Sequence, residues 1–221
     1  MEDFEKVRFE FEEKLPDEMV RLAEEFYEKM KRRRSVRDFS DRFVPREVIE
    51  DCVKTAGTAP SGANCQPWHF VVVSEAELKK RIHAEAERIE AAFYAKESNR
   101  QWIEDLRHLG TTAEKRFLEQ APYLIVVFSQ TYGLTPEGKK INHYYVHQSV
   151  GIAVGFLIAA IHNAGLVCVP YTPAPATFLN EILNRPENER AFCVLPVGYP
   201  AAGVDVPDID KKSFGEICTL L

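Results

Sequence analysis

A stretch of small and polar residues from Thr55 to Val73 carries side chains that could hold a flat polar ligand. Ser61, Asn64 and Gln66 supply a hydroxyl and two amides, which suit the polar edge of a heterocycle. The glycines of this stretch let the backbone approach a ligand closely, and its prolines fix the turn. An ordinary polar loop that caps a sheet has the same composition, so the stretch alone leaves both interpretations open.

A basic run lies just upstream, and its residue types suit a phosphate group. In the run from Lys31 to Arg37, arginines surround Ser35. Guanidinium groups form bidentate, charge-assisted hydrogen bonds with phosphate oxygens. The same run could instead favour the dipole and cap the last carbonyls of a preceding helix. Taken one at a time, the two stretches are therefore ambiguous.

The elements that must position these stretches follow from hydrophobic spacing and from proline and glycine. One predicted helix begins at Pro16 and runs into the basic run, and a second begins at Pro45 and stops at Gly57. The second helix therefore delivers the loop that contains Ser61. Strands are predicted at 68–73, 123–128, 166–169 and 190–196, and further helices at 75–97, 144–164 and 176–183. This mixture predicts an α+β fold, with a small central sheet and helices on both sides.

The stretch from Ala84 to Phe117 is charged and strongly helical, with breaks near Ser98–Asn99 and at Gly110. A capping box at Ser74–Glu77 is expected to open the helix that leads into it. Most segments of this composition are solvated helical hairpins. The alternative is a lid that covers a site when ligand binds.

Composition limits the class of protein. The 221 residues carry a net charge of −6, so no basic field is available for nucleic acid. The apolar run Val150–Ile161 is too short to span a membrane, and the acidic start Met1–Glu5 lacks the features of a signal peptide. His143 and His147 have a metal-ligand spacing, but no third ligand accompanies them and we expect no metal. Five scattered cysteines without a C-x-x-C pair indicate reduced thiols, and we expect a cytoplasmic protein.

Together, the two polar stretches form a more specific pattern. The motif R-R-S-V-R at 33–37, followed by P-S-x-x-N-x-Q-P-W at 60–68, resembles the FMN-dependent nitroreductase superfamily. N-A-G-L-V and L-P-V-G-Y-P occur later in the order typical of that superfamily. The phrase T-A-G-T-A-P-S-G-A and the charged helical insertion are closer to the iodotyrosine deiodinase family, in a form without that family's membrane anchor.

The resemblance implies a nitroreductase-like fold with a central, mixed but mainly antiparallel sheet flanked by helices. It implies a domain-swapped homodimer with FMN at the subunit interface. Residues 1–221 would form a single FMN-binding domain, with a helical substrate lid at about 84–117 and a C-terminal extension at about 204–221.

The implied activity is reductive removal of iodide, and of bromide or chloride, from 3-halotyrosine by reduced FMN. NAD(P)H or another reductant, or a reductase partner, would supply the electrons. A general FMN-dependent nitro or quinone reductase is an alternative within the same superfamily. A non-catalytic flavin-binding or tyrosine-binding sensor is a second alternative, from a different class of protein.

The resemblance also implies roles for individual residues around the flavin. The arginines and Ser35 of the basic run would hold the FMN phosphate and ribityl chain, and Lys211 stands where the family typically has arginine. Thr172 would be catalytic, because its hydroxyl would donate to the flavin N5 and favour one-electron steps. The implied cofactor-binding residues are Arg33, Arg34, Ser35, Val36, Arg37, Pro60, Ser61, Asn64, Pro170, Tyr171, Thr172 and Lys211.

Four residues would recognise the substrate. Glu90 and Tyr94 are four residues apart and share one helix face. By the resemblance, Glu90 pairs with the substrate ammonium, Lys115 pairs with its carboxylate, and Tyr94 packs and bonds against it. The backbone N–H of Ala63 would bind the phenolate oxygen. Without the resemblance, Glu90 and Lys115 would be ordinary surface charges.

Overall fold

The computed structural model describes residues 5–221 and divides into two units, Met1–Arg33 and Arg34–Leu221. The acidic start of the chain, residues 1–4, lies outside the described residues. The first unit contains helix α1 (Pro16–Lys31), which opens on a proline and carries acids in its first turn and lysines in its last. None of its residues is buried. A single domain over 1–221 stays a prediction.

The second unit is built on an antiparallel sheet. Its strands are β1 (Trp68–Val73), β2 (Tyr123–Gln130), β3 (Tyr132–Leu134), β4 (Lys140–Asn142), β5 (Val167–Cys168) and β6 (Glu189–Gly198). Four of them form one sheet in the order β1-β2-β6-β5, and β3 pairs with β4 as a separate hairpin. The pairs β1–β2, β2–β6 and β5–β6 are all antiparallel. The predicted α+β fold with a mainly antiparallel sheet is confirmed.

Helices cover both faces of the sheet. They are α2 (Arg46–Gly57), α3 (Ala76–Tyr94), α4 (Arg100–Leu106), α5 (Phe117–Gln120), α6 (Val146–Asn163), α7 (Thr177–Ile182) and α8 (Phe214–Ile217). Alternate residues of β2 point to opposite faces, so Val126 packs with α3, α5 and α7 while Val127 packs with α2 and α6. Burial on both faces explains why β2 is a continuous apolar run.

Helix α6 is long and strongly apolar. Its mean hydropathy of 1.3 over 18 residues would allow it to cross a membrane by length and composition, but the core helix of a soluble protein passes the same test. Val150, Leu157 and Ile161 are fully buried against the sheet. Ile152 and Phe156 are exposed, which leaves a second apolar face on this helix.

The charged insertion differs in detail from the prediction. Helix α3 ends at Tyr94, and its N-cap is Glu75, which makes no side-chain capping bond, so the predicted capping box is wrong. Short 3-10 turns at Glu97–Asn99 and Arg107–Leu109 flank α4. Gly110 then adopts a φ of 62°, in the left-handed region that glycine tolerates without steric cost. The predicted breaks are therefore where the chain turns.

Candidate functional site

Ser35 and Val36 of the basic run lie beside strand β5, which leads into Pro170–Thr172, the segment predicted to contact the flavin N5. Ser35 forms an isolated parallel bridge with Cys168, and the Val36 N–H donates to the Cys168 carbonyl at 3.3 Å. Strand β5 ends there, and the chain continues into Pro170, Tyr171 and Thr172. The structure thus brings together two motifs separated by more than a hundred residues.

Arg37 is a half-buried cation that faces open space. It lines two adjoining cavities, of about 210 and 310 Å³. Within residues 5–221 its guanidinium forms no ion pair and no side-chain hydrogen bond. Burial lowers its pKa from the ordinary value, although Tyr94 and Asp38 act in the opposite direction. A desolvated cation of this kind is suited to an anionic ligand.

The other members of the basic run are placed differently. Arg34 donates to the backbone carbonyl of Pro207, which anchors the C-terminal segment. Val36 is buried and Ser35 is half-buried at the edge of the second cavity. Arg33 is the last residue of the first unit. Its contact with phosphate stays a prediction.

The smaller cavity brings together seven of the predicted site residues. Its walls come from the basic run, from α3, from the charged insertion and from the segment after β5. The predicted residues that line it are Arg37, Glu90, Tyr94, Lys115, Pro170 and Thr172, together with Tyr171. Phe93 and Trp102 form an apolar wall, and their rings meet edge to face at 5.2 Å.

A buried ion pair lies in this cavity. Lys115 Nζ is 3.1 Å from Glu90 Oε2, with side-chain exposures of 4% and 15% respectively. The Tyr171 hydroxyl donates to the other carboxylate oxygen, Oε1, at 3.1 Å. The Lys115 ammonium also donates to the Thr112 carbonyl. Burial lowers the pKa of Lys115, because desolvation outweighs the attraction of Glu90.

Polar contacts join helix α3 to the later part of the insertion beside the cavity. The Tyr94 hydroxyl donates to the Thr111 carbonyl at 3.1 Å, and the Lys115 N–H donates to Glu87 Oε1 at 2.9 Å. That N–H lowers the pKa of Glu87 below its usual value. The insertion therefore has a solvated face and a face that closes the cavity, which a freely solvated hairpin would not have.

The loop that contains Ser61 has a strained backbone. Ala63, Asn64 and Gln66 have φ angles of 49°, 52° and 48°, in the left-handed region that non-glycine residues rarely adopt. The Ser61 hydroxyl accepts from the Gln66 N–H at 2.9 Å, and the Gly62 N–H donates to Ser149 Oγ at 3.3 Å. Backbone strain held in place by such contacts is typical of functional sites.

The structure leaves several predicted site residues away from these cavities. Neither cavity is lined by Pro60, Ser61, Ala63, Asn64 or Lys211. A contact between the Ser61 loop and FMN at a subunit interface stays a prediction. Lys211 is exposed in the C-terminal segment.

Substitution of Gly62 by alanine is expected to lower the free energy of unfolding by about 1–3 kcal/mol. A Cβ at this position would lie 2.8 Å from the Tyr144 carbonyl oxygen, and that backbone cannot rotate away. Gly57→Ala is the matched control, because a Cβ there meets nothing within 4 Å. Urea unfolding of both variants measures the difference. Equal stability of the two would show that the loop does not depend on its contact with Tyr144.

Sequence reasoning missed two features of the site. Tyr171 was predicted as a flavin-binding residue, and the hydrogen bond of its hydroxyl to Glu90 was not predicted. The apolar wall was also missed, although aromatic residues such as Trp102 in an otherwise charged helical stretch were a usable signal. The rings of His143 and His147 face different neighbours, the Gln130 carbonyl and the Phe192 ring.

Comparisons with known proteins agree with this geometry. A family model described as the nitroreductase family matches residues 30–199. An iodotyrosine deiodinase of Haliscomenobacter hydrossis is 54% identical over 197 residues, which are 89% of each chain. One of Nematostella vectensis is 48% identical, over 92% of this chain and 78% of that protein. A crystal structure of oxidized iodotyrosine deiodinase bound to FMN and 3-iodo-L-tyrosine is 34% identical with a TM-score of 0.72, covering 85% of this chain and 96% of that one.

Proposed function

The chain belongs to the nitroreductase family, and within it to the iodotyrosine deiodinases, and from this we propose that it reductively deiodinates 3-iodotyrosine with bound FMN. Bromotyrosine and chlorotyrosine are proposed as further substrates. The enzyme is an FMN-dependent oxidoreductase. NAD(P)H or another donor, directly or through a reductase partner, would return the flavin to its reduced state.

The residues around Arg37 fit FMN. Arg37 is a half-buried guanidinium without a counter-ion within residues 5–221, and the hydroxyl-bearing Ser35 and Thr172 line the same two cavities; this set matches an anionic, polar-edged cofactor. Reduced FMN, when bound, supplies the two electrons that, with one proton, replace the carbon–iodine bond by a carbon–hydrogen bond and release iodide. Thr172 would place its hydroxyl at the flavin N5, and Lys211 would add positive charge near the phosphate.

The observation that carries the substrate assignment is the buried pair of Glu90 and Lys115. Each group has poor access to water, and their separation of 3.1 Å already offers one anion and one cation inside an apolar cavity. A zwitterionic amino acid brings the same two charges and can exchange partners with both groups. Its ammonium would take Glu90 and its carboxylate would take Lys115, so neither charge is left unpaired after binding.

Tyr94 and Ala63 would complete the substrate site. Tyr94 packs beside Lys115, whose Nζ lies 5.6 Å from the ring centroid, and would pack against the substrate as well. The N–H of Ala63, oriented by its left-handed backbone, would bind the phenolate oxygen. Closing of the insertion, residues 84–117, would then exclude water from the reacting carbon.

Ala63 lines neither cavity of its own chain, so the proposal includes a domain-swapped homodimer in which a second copy supplies it. Exposed apolar residues support it: Phe26 and Met19 on α1, and Ile152 and Phe156 on α6. Such patches are unusual on a monomer of 25.2 kDa and are suited to contacts between copies. Sedimentation of the FMN-loaded protein at the mass of one chain would contradict the homodimer.

We place the protein in the cytoplasm.

Anaerobic turnover tests the function. The purified FMN-loaded protein is reduced, 3-iodotyrosine is added, and the visible spectrum and free tyrosine are followed together. We expect flavin reoxidation with one tyrosine formed per flavin. A flavin that stays reduced with iodotyrosine but is reoxidised by a nitroaromatic would favour a general reductase. A flavin reoxidised by neither would favour a binding protein without catalytic function.

A further inference from the structure

We propose that Tyr171 is a positioning residue for substrate recognition, whose hydroxyl holds the Glu90 carboxylate in the orientation that receives the substrate ammonium. This inference rests on the proposed function. It gives Tyr171 a role in the substrate site, in addition to its position beside the predicted flavin.

The Tyr171 hydroxyl is held in place by the whole residue. Its backbone exchanges two hydrogen bonds of 2.8 Å with Val194 of β6, so the residue is in effect fixed to the central sheet. Its ring meets the Phe117 ring edge to face at 5.9 Å. The residue is 7% exposed. The phenol oxygen therefore has little freedom, unlike the long side chain of Glu90.

The contact with Glu90 uses the one proton that a phenol can donate. The hydroxyl donates it to Glu90 Oε1, with 3.1 Å between the two oxygens, so Tyr171 has no proton left to donate to the substrate. Burial, reinforced by the charge of Glu90, raises the pKa of Tyr171 and keeps the hydroxyl protonated. Tyr171 consequently acts on the substrate through Glu90.

The two oxygens of Glu90 have different partners, and only one of these needs to change on binding. Oε1 accepts from Tyr171, while Oε2 lies 3.1 Å from Lys115 Nζ. Arrival of a zwitterion draws Lys115 toward the substrate carboxylate and frees Oε2 for the ammonium. The Tyr171 bond holds the carboxylate plane during this exchange, so less rotational freedom is lost when the ammonium binds.

Substitution of Tyr171 by phenylalanine tests the role. The change keeps the ring packing on Phe117 and removes only the hydroxyl. The probes are 3-iodotyrosine and 3-(4-hydroxy-3-iodophenyl)propionate, which has the same ring and carboxylate but no amino group. Their dissociation constants are measured by quenching of flavin fluorescence in the oxidised holoenzyme, and KM and kcat are measured for iodotyrosine.

We expect the dissociation constant and KM of iodotyrosine to rise about 10-fold, with a change of less than about twofold for the propionate and for kcat. The matched control is Tyr123→Phe, which removes a half-buried hydroxyl that donates to the Val44 carbonyl at 3.3 Å; neither residue lines the cavity. The control should bind both ligands as the wild type does.

Three results would overturn the inference. Equal weakening of both ligands would assign Tyr171 a merely structural role, and unchanged binding of both would assign it none. Wild-type protein that binds both ligands equally well would remove the proposed contact between Glu90 and the ammonium itself. Only this last result also contradicts the proposed function, and it is recognised from the wild type alone.

Discussion

Replacement of Glu90 by glutamine is expected to weaken the binding of 3-iodotyrosine by about 100-fold, because it removes one partner of a buried, hydrogen-bonded charge pair. Lys115, with a side chain only 4% exposed, would be left without a counter-ion, and the substrate ammonium would lose its acceptor. A nitroaromatic carries neither charge, and its turnover should fall much less. Titration of the oxidised holoenzyme with iodotyrosine, followed by flavin fluorescence, measures the effect.

Two variants separate loss of the charge from loss of the fold. Glu85→Gln changes a partly exposed glutamate of the same helix, which pairs with Arg88 at 2.9 Å, and should leave iodotyrosine binding intact. The double variant Glu90→Gln, Lys115→Met removes both buried charges and should recover the thermal stability that the single change costs. Binding that recovers along with stability would contradict recognition of a zwitterion.

The strands of the central sheet were predicted well, because each is encoded by a local pattern in its own stretch of sequence. Strand β1 has the predicted bounds of Trp68 and Val73, and the apolar run that begins at Tyr123 became β2. No strand was predicted for the hairpin of β3 and β4. Its residues are half-buried or exposed, so no apolar alternation marks it.

The site was predictable in its composition but not in its contacts. The motif at 33–37 and the helical spacing of Glu90 and Tyr94 are local patterns, and the structure places Arg37, Glu90 and Tyr94 in one cavity. The bond from Tyr171 to Glu90 joins residues 81 positions apart. It depends on how α3 packs over the end of β5, and no local propensity encodes that packing.

Burial of the charged groups of the cavity is unfavourable in free energy, and a bound ligand can offset that cost. Burial lowers the pKa of both Arg37 and Lys115, so each cation is less favourable here than in water. Glu90 compensates Lys115 within the chain, whereas Arg37 has no ion-pair partner in the described part of the chain. This contrast is why we assign Arg37 to the cofactor and the pair of Glu90 and Lys115 to a zwitterionic substrate.

Replacement of Arg37 by methionine is accordingly expected to weaken FMN binding by about 100-fold, because a charge-assisted contact to a buried anion is lost. The same change should leave the FMN-free protein as stable as the wild type or more stable, since an apolar side chain replaces a desolvated cation that has no ion-pair partner within residues 5–221. Fluorescence titration of FMN into the cofactor-free protein measures binding, and thermal unfolding without FMN measures stability.

The opposite directions of these two effects make the test specific. Arg46→Met is the matched control, because Arg46 is exposed and pairs with Glu50 at 2.7 Å along α2, so FMN affinity should not change. If Arg37 served only the fold, its replacement would lower the stability of the cofactor-free protein, and affinity for FMN would fall only as far as unfolding requires. A variant that loses stability before FMN is added would therefore contradict the assignment of Arg37 to the cofactor, whatever its affinity.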